Sequence, residues 1–343
     1  MAIILDAMGS DNYPDPEIFG AIEAAEQMGE EVILVGNQEL LEPKLKAANT
    51  RGAPVSIEHA PDMVEMADKV VASGRAKPNN SMAIGCKLVK IGRGSAFVTA
   101  GSTGAAMFNA WRTLGKIKGV LRPALCAIAP TKTGRCVITD IGANADCRPE
   151  FLAQFAILGS IYAQKALNIA NPRIGLLSNG EEAGKGNQLV KDTYPLMEKL
   201  GLNFIGNVEG KEVFGGFVDV VVTDGFTGNV MMKGCEAVAR LITDTLKTEL
   251  TSSFTTKIGA LLAKSAFKKV RNLVDPSAIG AAPLLGIDGL VLVGHGRSDA
   301  RAITSSLLLA QHIAKADMLN SLRDAIQASM ELVDLADLSR ETN

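Results

Sequence analysis

The sequence predicts an α/β protein of three layers, with helices on both faces of a mostly parallel β-sheet. Short β-branched runs alternate with longer helical patterns along most of the chain. The composition agrees: of 343 residues 47% are hydrophobic but only 4% aromatic, which suits aliphatic strands buried under helices better than an aromatic-rich sandwich. No low-complexity stretch, Pro/Ser-rich linker or sequence repeat divides the chain, so a single large α/β domain over residues 1–343 is expected.

The elements follow in order. IILDA precedes PEIFGAIEAAEQM, EVILVG a polar helix, SAFVTA the helix GAAMFNAWRTL, and CVITDIG the helix PEFLAQFAILGSIYAQKAL. The alternation resumes with RIGLLSNG and QLVKDTYPLMEKL, then NFIGNV, then VDVVVTDG and NVMMKGCEAVARLITDTL, and finally GLVLVGHG and ARAITSSLLLAQHIAKA. One helix between successive strands implies right-handed crossovers. The stretch 114–130, LGKIKGVLRPALCAIAP, carries Pro and Gly and reads as a loop plus an edge strand. A helical excursion is expected at about 248–272.

A formal net charge of −2 excludes a global nucleic-acid-binding surface, which needs clustered cations. The five cysteines are widely spaced without C-x-x-C, so neither a disulfide framework nor a thiolate zinc site is indicated, and a reducing cytoplasm is the expected setting. MAIILDAMGSD lacks a basic segment or long apolar run, and residues 95–111 are interrupted by Gly101, Ser102, Thr103, Gly104 and Asn109. A soluble protein is expected.

In parallel sheets ligands bind beyond the carboxyl ends of strands. Six such ends are rich in Gly and small polar residues: DAMGSD (6–11), TAGSTGA (99–105), TDIGAN (139–144), SNGEEAGKGN (178–187), TDGFTGN (223–229) and GHGRSD (294–299). Gly admits close backbone approach, Ser, Thr and Asn add hydrogen bonds, and helix starts add positive dipole ends. Any one loop is explained by ordinary turn chemistry. Six converging on one sheet edge point to an anionic ligand.

The familiar nucleotide motifs are absent. Gly180 and Gly184 enclose three residues and Lys185 is followed by Gly186, so GxxxxGK[ST] fails for want of a spacer and of the Ser/Thr that ligates magnesium. GxGxxG fails too, there is no G-x-S-x-G, and ligand clusters with metal spacing are missing. Only His295 of the three histidines follows a strand. The candidate polar groups are Lys185, Asn179, Asn187, Asn144, Asp224, Asn229 and His295. This inventory suits phosphate attacking a thioester: phosphate is already an oxyanion, a thiol leaving group with a pKa near 8.5 needs little acid assistance, and a lysine with N–H donors manages the charge.

Taken together, DAMGSD, TAGSTGA, DIGAN, LLSNGEEAGKGN, VDVVVTDGFTGNV and GAAPLLGIDGLVLVGHGRSD resemble the bacterial phosphate acyltransferase family of fatty acid and phospholipid synthesis, from residue 3 to about 315. One departure is Ser10, where the family commonly has a second glycine. The resemblance implies a cytoplasmic homodimer without metal or organic cofactor. Its fold would be similar to those of the isocitrate/isopropylmalate dehydrogenases and phosphotransacetylases. It would move a long-chain acyl group from acyl carrier protein to inorganic phosphate, and the acyl-phosphate would feed a membrane-bound glycerol-3-phosphate acyltransferase. Carried over, the catalytic lysine and asparagine fall on Lys185 and Asn229, although Asn229 also suits a helix N-cap. Substrate and phosphate contacts fall on Asn179, Gly180, Ser102, Thr103, Gly104, Asn144, Asp224, Thr227, Gly228, His295 and Gly296. Asp224 orients Lys185 or the helix start; His295 contacts substrate or braces its turn. The competing readings are a nicotinamide-dependent dehydrogenase on a related fold, weakened by the missing GxGxxG, and a non-enzymatic carrier-binding or membrane scaffold, which leaves the six loops unexplained.

In the excursion TELTSSFTTKIGALLAKSAFKKVRN, Phe254, Ile258, Leu261 and Leu262 share one helical arc and Lys257, Lys264, Lys268 and Arg271 a neighbouring one. Glu249 is the lone carboxylate among the cations from Lys247 to Arg271. Docking of an acidic carrier and contact with an anionic membrane are the competing functions for this pattern, against an ordinary surface helix, and a shared role in carrier docking and peripheral membrane contact is expected.

Overall fold

The computed structural model describes residues 1–64, 76–274 and 280–332. Its strands are β1 (Ala2–Asp6), β2 (Val32–Gly36), β3 (Val55–His59), β4 (Gly94–Thr99), β5 (Ala124–Pro130), β6 (Arg135–Thr139), β7 (Ile174–Leu177), β8 (Phe204–Val208), β9 (Val220–Val222), β10 (Ala281–Leu285) and β11 (Leu290–Gly294). They form one 11-stranded sheet in the order β3-β2-β1-β4-β11-β10-β5-β6-β9-β7-β8. The described helices are α1 (Asp15–Met28), α2 (Gln38–Ala47), α3 (Ser81–Lys90), α4 (Thr103–Leu114), α5 (Pro149–Leu167), α6 (Gln188–Glu198), α7 (Gly210–Gly215), α8 (Gly225–Leu250), α9 (Phe254–Leu262), α10 (Lys264–Val274), α11 (Ala300–Lys315) and α12 (Met318–Leu332).

Strand alternation builds both faces. Ile3, Leu5, Val32, Leu34, Val98 and Leu292 belong to one core cluster, which α1, α5 and α11 cover. Their neighbours Ile4, Ile33, Val35, Phe97 and Val291 belong to a second cluster, under α3 and α4. Cys136, Ile138 and Val221 form a third with Val213 of α7. Such two-sided burial is why these strands read as continuous aliphatic runs. The α5 helix is buried along most of its length from Phe151 to Ala163.

The sheet is mostly parallel, as expected, but it reverses direction in the middle. Strands β3, β2, β1, β4 and β11 run one way. β10 is antiparallel to β11 and to β5, and β5 is antiparallel to β6. β6, β9, β7 and β8 are mutually parallel and so oppose the first set. The expected edge strand in 114–130 is therefore corrected: β5 lies at the centre of the sheet, between β10 and β6. Its prolines do not exclude this, because Pro123 precedes the strand and Pro130 is its last residue, where no inner ladder bond is lost.

The reversal also corrects the expected convergence of six loops. The loops after β1, β4 and β11 leave one edge of the sheet, and those after β6, β7 and β9 leave the opposite edge. Ser102, Thr103, Gly104, His295 and Gly296 are thus placed at one edge. Lys185, Asn179, Gly180, Asn144, Asp224, Thr227, Gly228 and Asn229 are at the other.

Among the described residues no helix is long and apolar enough to cross a membrane.

Candidate active site

β6, β9 and β7 are adjacent, so their terminal loops lie side by side. The loop after β6 is organised by Asp140, which is buried. Its Oδ1 accepts the N–H groups of Leu125 (2.9 Å), Gly142 (3.2 Å) and Ala143 (3.1 Å). Its Oδ2 accepts the Asn144 backbone N–H (2.7 Å) and side-chain amide (3.0 Å). Burial pushes this carboxyl above its usual range, and the hydrogen bonds pull it back. The Asn144 amide also donates to the carbonyl of Pro123 (2.7 Å), tying the loop to the entry of β5.

The loop after β9 interlocks with this turn. Asp224 is the N-cap of α8: it accepts the Thr227 N–H (2.8 Å) and hydroxyl (2.7 Å). It therefore orients the helix start, one of the two roles expected for it. Gly225 and Gly228 permit the close approach. A Cβ on Gly225 would lie 2.6 Å from the Asn144 carbonyl oxygen and 2.7 Å from Asp140 Oδ2, and one on Gly228 would run into the Asp140 carbonyl oxygen. Asn229 stands beyond the cap, half-buried, and its amide donates to the Ile141 carbonyl at 3.0 Å. It is a bridge between the two loops, not the N-cap that a sequence reading also allowed.

The loop after β7 carries Lys185. Asn179 Oδ1 accepts the Gly186 N–H at 3.0 Å and closes the loop across its base. Lys185 N–H donates to the Glu182 carbonyl (2.9 Å), which also receives the Asn207 amide from β8 (2.8 Å). The Lys185 stem lies over Gly180, where a Cβ would be 2.8 Å from its Cγ. Of the two upstream carboxylates, Glu181 goes to Lys211 at 2.8 Å. Lys185 is exposed, and among the described residues it forms no ion pair. The Lys185 loop runs directly into the positive end of α6, which Asn187 caps by accepting the Val190 N–H (3.0 Å).

Cys147, whose Sγ is 3.5 Å from the Asn144 carbonyl oxygen, is pushed up to about 12 by burial, so it is a thiol at neutral pH. Among the described residues no group of three or more His, Cys, Asp or Glu is arranged to hold a metal ion.

At the opposite edge the loops brace one another. Asp11 N–H donates to the Gly296 carbonyl (2.7 Å), and Thr99 Oγ1 donates to the buried Asp6 (2.7 Å). The Ser298 N–H (2.8 Å) bonds the His295 carbonyl, and His295 Nδ1 accepts the Arg297 N–H (3.3 Å), so His295 braces its own turn. Ser102 is the N-cap of α4 without a side-chain cap bond; Thr103 and Gly104 open the helix.

Glu17, behind Ser10, is buried and accepts the Ser10 N–H at 3.0 Å. Burial pushes its carboxyl up to about 7. A carboxyl raised on folding favours the folded state below its unfolded pKa and loses that contribution as pH rises through the folded value. Glu17→Gln is therefore expected to stabilise the protein by roughly 2–3 kcal/mol at pH 8 and by little at pH 4.5. Urea midpoints at the two pH values check this; equal gains at both would overturn it.

Sequence reasoning missed Asp140 as the organiser of the site. The signal was an Asp at a strand end followed by a short turn, a position where its carboxylate can collect backbone N–H groups.

The family model described as "Fatty acid synthesis protein" matches residues 1–321. The phosphate acyltransferase of Acidobacterium capsulatum is 46% identical over 316 residues, spanning 92% of this chain and 94% of that one. The chain belongs to the phosphate acyltransferase family. Like the family, it is an acyltransferase. A phosphotransacetylase from Streptococcus pyogenes has a similar fold, with a TM-score of 0.58 at 18% identity, covering 91% of this chain and 94% of its own. A 4-hydroxythreonine-4-phosphate dehydrogenase from Burkholderia phymatum gives 0.50 at 14% identity, with coverage of 91% and 98%. The expected likeness to phosphotransacetylase and dehydrogenase folds therefore holds, and at these identities it concerns the fold alone.

Proposed function

We propose that the enzyme transfers a long-chain acyl group from acyl carrier protein to inorganic phosphate, and that the acyl-phosphate feeds phospholipid synthesis through a membrane-bound glycerol-3-phosphate acyltransferase. The observation that carries this reading is the exposed Lys185, which forms no ion pair among the described residues, on a loop that leads into α6 and leaves the same sheet edge as the Asn229 loop. A phosphate oxygen attacks the thioester carbonyl, forming a C–O bond. The tetrahedral oxyanion collapses, the C–S bond breaks, and the electron pair leaves on sulfur as thiolate, which solvent protonates. Lys185 neutralises phosphate and oxyanion. Asn229, with one amide N–H on Ile141, donates the other to the carbonyl oxygen. Asn144, Asp224, Thr227, Gly228, Asn179 and Gly180 shape the phosphate seat. Incubation with acyl-carrier thioester, following carrier thiol and acyl-phosphate, tests the reaction: thiol release without a phosphate requirement would sink it.

Two surfaces support the remaining parts of this reading. Along α8, Val238, Leu241, Ile242 and Leu246 recur at helical spacing on an exposed face, Leu241 being 66% exposed. A second copy covering this face would give a cytoplasmic homodimer. On α9, Phe254, Ile258, Leu261 and Leu262 are exposed, Leu262 at 82%. Lys257, Lys264 and Lys268 are exposed with them, and the side chain of Arg271 lies outside the described residues. An apolar tip ringed by cations suits peripheral contact with an anionic bilayer. Leu241→Glu is expected to shift sedimentation towards monomer, and the pair Leu261→Glu and Leu262→Glu to abolish liposome flotation. Unchanged sedimentation or unchanged flotation would refute the corresponding surface.

A further inference from the structure

A second concentration of positive charge lies beside the site. From Arg112 to Pro123 the sequence RTLGKIKGVLRP contains Arg112, Lys116, Lys118 and Arg122 and no carboxylate. This segment leaves the carboxyl end of α4 and enters β5. It is therefore at the same sheet edge as the loops after β6, β9 and β7.

The segment is a built ledge. Ile117 N–H donates to the Gly286 carbonyl (3.0 Å), Asp288 N–H donates to the Gly115 carbonyl (3.0 Å), and Lys116 Nζ donates to the Leu121 carbonyl (2.9 Å). Gln154 of α5 holds its far side, accepting the Leu121 N–H (2.8 Å) and donating to the Gly119 carbonyl (2.8 Å). Its cations rest on aromatic faces. Lys116 Nζ is 4.9 Å from the centre of the Trp111 ring, and Arg122 Cζ is 5.7 Å from Trp111 and 5.9 Å from Phe151. Arg148 Cζ continues the row, 4.8 Å from Phe151.

The charge on the ledge is little compensated. Burial, and then the like charge of Arg122, holds the Lys116 ammonium below the usual lysine range. Of the nearby carboxylates, Asp288 is taken by Arg323 at 2.7 Å, and Glu150 lies 3.8 Å from Arg148. Lys118 and Arg122 are exposed. Stacking on Trp111 and Phe151 fixes the Arg122 guanidinium in advance, so less side-chain entropy is lost when an anionic surface binds it.

We infer that this ledge, formed by Lys116, Lys118, Arg122 and Arg148 over Trp111 and Phe151, is the docking surface for an acidic acyl carrier protein. The inference rests on the carrier-thioester reading proposed above and gives its substrate a place to land. The Pro123 carbonyl at the end of the ledge holds the Asn144 amide (2.7 Å). Strand β7, which leads to Lys185, is three strand positions from β5, about 14 Å at roughly 4.8 Å per strand. A carrier seated here needs an extended prosthetic arm to bring its thioester to the lysine. The basic helices α9 and α10 are then left to the bilayer.

The test compares acyl thioester on the carrier with the same acyl group on free pantetheine. In Lys118→Glu with Arg122→Gln, kcat/KM for the carrier thioester is expected to fall roughly tenfold relative to that for the pantetheine thioester at low salt, through KM, with the gap narrowing at high salt. Direct titration of labelled carrier should show the same loss of affinity. Lys118→Glu alone, which leaves the aromatic stack intact, should give part of it. Unchanged carrier affinity in the double variant would overturn the inference, as would loss of carrier affinity confined to Lys257→Glu with Lys264→Glu. If the parent enzyme transfers neither thioester to phosphate, the activity reading fails, and the titration still decides the docking surface.

Discussion

Lys185→Ala is expected to lower kcat for phosphate-dependent acyl transfer by roughly 10²–10³-fold while changing stability by less than about 0.5 kcal/mol. The two halves of this expectation have separate grounds. The rate loss follows from removing the cation on the loop that opens α6, beside which the tetrahedral oxyanion would develop. The small stability effect follows from the exposure of Lys185 and from the loop's independence of its ammonium, since the loop is closed by Asn179 on the Gly186 N–H at 3.0 Å. Initial rates of thiol release at saturating phosphate and denaturant midpoints of the same preparations check both. A fully active Lys185→Ala enzyme would remove this residue from the mechanism without touching the family membership.

Asp140→Ala should be the most destabilising single change near the site. It leaves the N–H groups of Leu125, Gly142, Ala143 and Asn144 and the Asn144 amide without their common acceptor. Stranding several donors in a buried turn is expected to cost about 3–4 kcal/mol, read as a shift in the urea midpoint at unchanged slope. Asp140→Asn keeps one acceptor oxygen and should lose about half as much. A loss below about 1 kcal/mol for the alanine variant would mean that water replaces the carboxylate and that the turn is not built around it. Because Asn229 is seated on Ile141, within this turn, activity should fall in both variants by more than the unfolded fraction explains.

Much of the architecture was legible in the sequence because both faces of the sheet are covered, and such strands announce themselves as short aliphatic runs between helical periods. Segments lacking that signature were missed. β10 is five residues with Pro283 in its middle, and β3 alternates Val55 and Ile57 with Ser56 and Glu58 at the sheet's edge. Strand direction was not legible at all. A βα unit has the same pattern whichever way its strand points, so the six glycine-rich ends looked equivalent until β10, β5 and β6 divided them between two edges. Within the site, Asn179, Asn229 and Asp224 stood out by residue type. What Asp140 does depended on donors from β5, a long-range relation that no local pattern carries.

The reversal in the sheet also shapes the molecule's electric field. In a sheet whose strands all point one way, the following helices point their positive ends to one side, and their dipoles add. Here the helices after β1, β4 and β11 present positive ends at one edge, and those after β6, β7 and β9 at the other. The two sets oppose each other at long range, so a distant anion meets little net helix field and is guided mainly by side-chain charge. Within the last turn of approach the cancellation fails, because only the nearer set is felt. On the proposed reading, a phosphate would be held at its seat by helix ends that do nothing to draw it from afar, whereas a large acidic partner would be steered by the basic ledge at the same edge.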